Sequence, residues 1–164
     1  MNIPTLQECN SLHEQNGTPK GVITHCMAVS SYAVSLANKL RSRGISINVE
    51  LVRAAAALHD IEKLKRNHVV AGYDHVKNLG FLEVAQVMLK HGLEHMGDSS
   101  FHPRTMEEKI VFYADKRLLG SEMVPLEKRF EYIRKKYNYG SIETEFMFSK
   151  KIEEQIASLL GEAP

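Results

Sequence analysis

Residues 51–63 read Leu51-Val52-Arg53-Ala54-Ala55-Ala56-Ala57-Leu58-His59-Asp60-Ile61-Glu62-Lys63. Leu51, Val52, Ala55, Ala56 and His59 share one side of a helix at this spacing. Asn48 is placed to cap its start. An apolar helix thus ends in a histidine and an aspartate. Neighbours inside a helix point about 100° apart, whereas at a helix end both can turn toward one point.

The same periodicity extends outward in both directions. Val22, His25, Val29, Tyr32, Leu36 and Leu40 recur at spacings of three and four and predict a helix over 20–43, stopped at Gly44. Downstream, 67–79 places His68, Gly72, His75 and Leu79 on one face, and Gly80 breaks it. A segment over 82–93 aligns Val84, Val87, Met88 and His91. Thr105 with Glu108 makes a capping box for a fifth helix, with Val111, Phe112, Leu118 and Leu119 on its face and Asp115 among them. Pro125 opens a sixth, to about Tyr137, and 142–160 reads as a seventh. Its stripe of Ile152, Ile156, Leu159 and Leu160 suits either the core or a homodimer contact. No useful period-2 run is present, so the expected fold is all-α, a bundle of about seven helices in one domain over 1–164.

With 164 residues, one sizeable core is affordable. The formal charge is +1, which argues against a broad nucleic-acid footprint. No apolar run reaches the length of a membrane span, and residues 1–20 lack a signal-peptide core. Cys9 and Cys26 form no CxxC motif and read as reduced thiols. These features point to a cytoplasmic protein. Cys9 and His13 fall in a polar stretch, and His13 and His102 are expected at the surface.

The composition stands out in its eight histidines against four aspartates. His25, His59, His68, His91 and Asp115 all fall on apolar faces. One inward histidine is usually a satisfied core residue, but a buried carboxylate is costly unless paired or bound to a metal. One shared cation would resolve all five. Imidazole and carboxylate donors suit zinc, iron, manganese, cobalt and nickel.

Order, spacing and context together resemble the HD-domain superfamily of metal-dependent phosphohydrolases. The matching residues are Thr24-His25, Leu58-His59-Asp60-Ile61-Glu62-Lys63 and Tyr113-Ala114-Asp115-Lys116, with Asn67-His68 and Lys90-His91-Gly92 between them. The likeness covers about 20–136, the C-terminal helices over 125–160 packing on that core. Glu62 departs from the glycine common at that place. The resemblance implies that His25, His59, Asp60 and Asp115 hold one divalent ion. Asp60 then bridges to a second ion held by His68 and His91. Iron, manganese, cobalt, nickel or zinc would serve, with magnesium as a further candidate. The implied activity is hydrolysis of a small phosphate ester, a nucleotide or dinucleotide, by a metal-activated hydroxide. Asp60 and Lys63 are the catalytic candidates, Lys63 on the substrate phosphate.

His75, on the same helical face, competes with His68, although His68-x-x-x-Gly72 fits the family pattern better. His75 and His95 are otherwise candidates for supporting or substrate contacts. Lys116 and Arg117 are assigned no role. The alternative reading is a non-catalytic HD module that binds a nucleotide or metal. The expected partners are a small phosphate ester and, through the C-terminal stripe, a second copy, with no nucleic-acid polymer and no membrane.

Overall fold

The computed structural model describes residues 1–138 and 140–164. Among them are eight α-helices: α1 Leu6–Gln15, α2 Lys20–Ser42, α3 Val49–Leu58, α4 His68–Asn78, α5 Leu82–Met88, α6 Met106–Arg117, α7 Leu126–Lys136 and α8 Glu143–Leu160. A 3-10 turn, Ser99–Phe101, precedes α6. Two short strands, β1 Leu118–Leu119 and β2 Glu122–Met123, follow it.

The all-α expectation holds, with one helix more than the seven expected. The extra one is α1. Its start is a capping box in which Thr5 and Glu8 satisfy each other's backbone N–H groups. The hydroxyl of Thr105 and the carboxylate of Glu108 do the same for α6. Asn48 caps α3 by accepting from the N–H of Leu51 at 3.1 Å. Asn67, by contrast, makes no side-chain cap for α4.

Helix α3 is the hub and packs against α1, α2, α5 and α6. Ala54, Ala55, Ala56 and Ala57 are all fully buried. Small side chains let the neighbouring backbones approach closely there, and Leu36, Leu40, Leu58 and Ile110 fill the space around them. Each such Leu or Ile contributes about 1.5–3 kcal/mol by leaving water. The C-terminal stripe belongs to this core: Ile152, Ile156 and Leu160 of α8 are buried in it.

Two boundaries differ from the sequence expectation. Helix α5 stops at Met88, so His91 sits in the turn that follows. Helix α6 stops at Arg117, and Leu118 and Leu119 enter a hairpin instead, pairing with Met123 and Glu122. Gly120 makes this turn possible, because its φ of +61° lies where a side chain is disfavoured. No described helix is long and apolar enough to cross a membrane.

Candidate metal centre

Five helix ends meet at one place. His25 lies in the second turn of α2, and His59 caps the end of α3. Asp60 follows in a tight turn that closes with the N–H of Lys63 on the Asp60 carbonyl at 2.9 Å. His68 is the first residue of α4, and Asp115 is in the last turn of α6. His91 occupies the turn after α5. Two groups of donor atoms result: His25, His59 and Asp115, and His59, Asp60 and His91, each within 4.8 Å. These buried groups could hold a metal ion.

The imidazoles are aimed by their far sides. His25 Nδ1 lies 2.7 Å from the Gly120 carbonyl, His59 Nδ1 2.8 Å from that of Ala56, and His91 Nδ1 2.6 Å from that of Met88. His68 Nδ1 lies 3.0 Å from a carboxylate oxygen of Glu94. Carbonyl and carboxylate oxygens only accept, so Nδ1 carries the hydrogen in each ring. When the ring is neutral, Nε2 bears a bare lone pair.

All four Nε2 atoms point at the two aspartates. His25 Nε2 is 3.0 Å from Asp115 Oδ1. His59 Nε2 is 3.6 Å from Asp115 and 3.5 Å from Asp60. His68 and His91 Nε2 are 3.2 and 3.3 Å from Asp60 Oδ1. Among the described residues, the buried Nε2 atoms of His59 and His91 have no hydrogen-bond partner. Lone pairs facing carboxylates repel unless a proton or a cation lies between them. The donor set and the two orphaned nitrogens therefore fit a divalent ion.

Charge compensates charge around this core. Burial penalises the ionised Asp60, but charged His59, with His68 and Lys63 beside it, outweighs that penalty and holds its pKa well below the usual range. Asp115 is pushed up by burial and drawn further down, first by Lys116 and then by His25 and His59. Burial opposes a charge on His59, yet Cys26 as thiolate, Asp60 and Asp115 raise its pKa well above the ordinary value. His91 falls to about 4, chiefly through burial. Lys116 Nζ sits 2.5 Å from Asp115 Oδ2 and 2.7 Å from the His91 carbonyl. Lys63 Nζ lies 3.1 Å from Asp60 Oδ2.

The sequence-predicted residues His25, His59, Asp60, Lys63, His68, His91 and Asp115 thus converge. His75 does not. It is tied to Glu62 at 2.7 Å, on a carboxylate that also pairs with Lys65. The departure at position 62 is thereby spent on an ion-pair cluster. His95 bonds Asn67 at 3.1 Å. The surface expectation fails for His13, which is fully buried with Nε2 2.7 Å from the Ala57 carbonyl. It fails for His102 too, which is half-buried against Phe148 and bonded to the Met96 carbonyl. Cys9 is likewise buried.

Two residues escaped the sequence reading, Glu94 and Arg129, and Lys116, which it left without a role, pairs with Asp115. The Arg129 guanidinium comes within 3.7 Å of Asp115 Oδ1. It lines a pocket beside the centre with Lys63, His68, His91 and Lys116. Ile133 of α7 and Tyr137, which caps that helix, line the same pocket at a spacing of four residues.

Comparison with known proteins agrees with this geometry. The HD domain family profile matches residues 22–120. An uncharacterized protein of Methanocaldococcus jannaschii is 33% identical over 134 residues, covering 71% of this chain and 79% of its own length. A tRNA (cytidine(56)-2'-O)-methyltransferase of Thermoplasma volcanium is 29% identical over 82% of the chain. A protein of the same name from Picrophilus torridus is 25% identical over 97% of it. The chain spans 42% and 48% of those two methyltransferases. No solved structure matches it.

Proposed function

The chain belongs to the HD-domain family, and from that premise we propose that it is a metal-dependent phosphohydrolase of a small phosphate ester, with a nucleotide as the preferred class. One observation carries this reading: four imidazoles, each fixed through Nδ1, present Nε2 to two buried carboxylates. His25, His59, Asp60 and Asp115 would hold one ion. His68 and His91, with Asp60 between, would hold a second. Bound there, divalent ions would lower the pKa of water for in-line attack at phosphorus and neutralise phosphoryl oxygens.

The chain's own groups do the rest. Lys63 stays protonated, since Asp60 and Asp115 outweigh the effect of its burial. Its ammonium lines the pocket wall, where it meets a phosphoryl oxygen. His91 and Asp115 line the same pocket, and both are at most 5% exposed, so bulk water has little access to them. The nucleotide preference draws support from the two relatives named for chemistry on tRNA.

The test is elemental analysis of the purified protein, followed by hydrolysis assays across nucleotides with Mn²⁺, Co²⁺, Ni²⁺ and Fe²⁺. One or two ions per chain are expected, lost in His59→Ala. Phosphate release is expected from at least one nucleotide and not from Asp60→Ala. Metal-loaded wild type and Asp60→Ala that are equally inert on every phosphoester would leave a binding module instead.

A further inference from the structure

The pocket beside the centre holds three cations, and they are not equivalent. Lys63 and Lys116 are engaged with Asp60 and Asp115. Lys116 is fixed further by the His91 carbonyl and by the Phe112 ring, 4.9 Å from its nitrogen. Arg129 differs. Its side chain is only 14% exposed, yet its guanidinium stands 3.7 Å from Asp115, too far for a hydrogen bond. Its Nε is buried and has no hydrogen-bond partner among the described residues. The Tyr132 ring, 5.8 Å away, supports the group from α7 itself. A buried charged N–H without an acceptor is expensive, and a guanidinium fork matches two oxygens of one anion.

We propose that Arg129 is the anion-gripping residue of this pocket and that the ligand it takes is a phosphate monoester in its dianionic form. Arg129 lies on α7, beyond the 22–120 stretch that matches the family. The assignment to a monoester follows from charge. Lys63, Lys116 and Arg129 balance Asp60, Asp115 and Glu94 one for one. One divalent ion therefore gives the pocket two uncompensated positive charges, and a second ion adds to that excess. A monoester dianion cancels twice as much of it as a phosphodiester, which carries a single negative charge. The charge count rests on the metal reading above; the grip of Arg129 does not.

The experiment is calorimetric titration of the Mn²⁺-loaded protein with inorganic phosphate, methyl phosphate and dimethyl phosphate. Wild type, Arg129→Lys and Arg129→Ala are compared, with metal content and thermal melting recorded for each. The metal content should be equal in all three. Phosphate and methyl phosphate should bind roughly 10- to 100-fold more weakly to Arg129→Ala, as loss of a charge-assisted hydrogen bond implies, with partial recovery in Arg129→Lys. Dimethyl phosphate should bind wild type at least about tenfold more weakly than methyl phosphate. Unchanged phosphate affinity in Arg129→Ala, or no millimolar binding to wild type, overturns the grip. Equal affinity for the two esters overturns the monoester. If the protein takes up no Mn²⁺, the metal reading fails by itself. The phosphate titrations of the metal-free proteins then still decide the role of Arg129.

Discussion

Two demands meet in the ring of His59. Its Nδ1–H is given to the Ala56 carbonyl, while Nε2 faces both aspartates. Without a metal, burial opposes a charge there, and Cys26, Asp60 and Asp115 more than reverse it, so the ring stays protonated above the ordinary histidine range. A raised folded-state pKa gives stability that is full below the unfolded value and lost as pH rises through the folded one. Metal-free protein should therefore melt at progressively lower temperature above neutral pH. Metal-loaded protein should not, since the ion replaces the proton. Metal binding should release a proton from His59, and the apparent affinity should rise by up to about tenfold per pH unit while it does. Calorimetry in two buffers of different ionisation enthalpy reads this directly, and a pH-independent affinity with no proton release would refute it. His91, at about 4, is already neutral and adds nothing to that release. The identity of these residues was legible in the sequence, because each breaks an apolar face. Their protonation was not, since it depends on which oxygens the fold sets beside each ring.

Among the elements, α1 shows what apolar periodicity misses. Its composition is polar, and only Cys9 and His13 are deeply buried. The capping pair Thr5 and Glu8 repeats the Thr105 and Glu108 signature that marked α6, and it was the signal available. His13 docks α1 on the Ala57 carbonyl, two residues before His59. His13→Ala should cost about 1–3 kcal/mol in urea unfolding, the penalty for an unpaired buried acceptor. Thr105→Ala, which removes a cap away from the centre, should cost about 1 kcal/mol and leave metal content unchanged. The turn after α5 is tighter still. A Cβ on Gly92 would come within 2.6 Å of Val69 Cγ2, and Val69 is itself buried on α4. Gly92→Ala should destabilise by about 1–3 kcal/mol through overpacking. It should also weaken metal uptake, because it pushes the turn of His91 away from the helix of His68. A variant with wild-type metal content would show that this turn can relax without moving the ring.

On the scale of the molecule, the donors come from five separate segments between residues 25 and 115, and they meet only once the bundle closes. Metal binding is therefore tied to folding. At free metal about a thousandfold above the dissociation constant, the linkage is worth about 4 kcal/mol. For a chain of this length, chelation should then lower the melting temperature by about 10 °C. A melt unmoved by EDTA would mean that the centre binds weakly or not at all. The same dispersal limits what the chain reveals before folding. The helical pattern carried the fold and the ligand faces, but Arg129 is charged, on a helix with a polar face, and reads as solvated until α7 is seen lying over the pocket. The anchoring of the four rings also bears on how such a centre can change by mutation. Those of His25, His59 and His91 are aimed by main-chain carbonyls, which no substitution deletes. His68 is aimed by the Glu94 side chain, which is 34% exposed. One codon change at position 94 is enough to release the ring of His68, while the aim of the other three is inherited with the backbone.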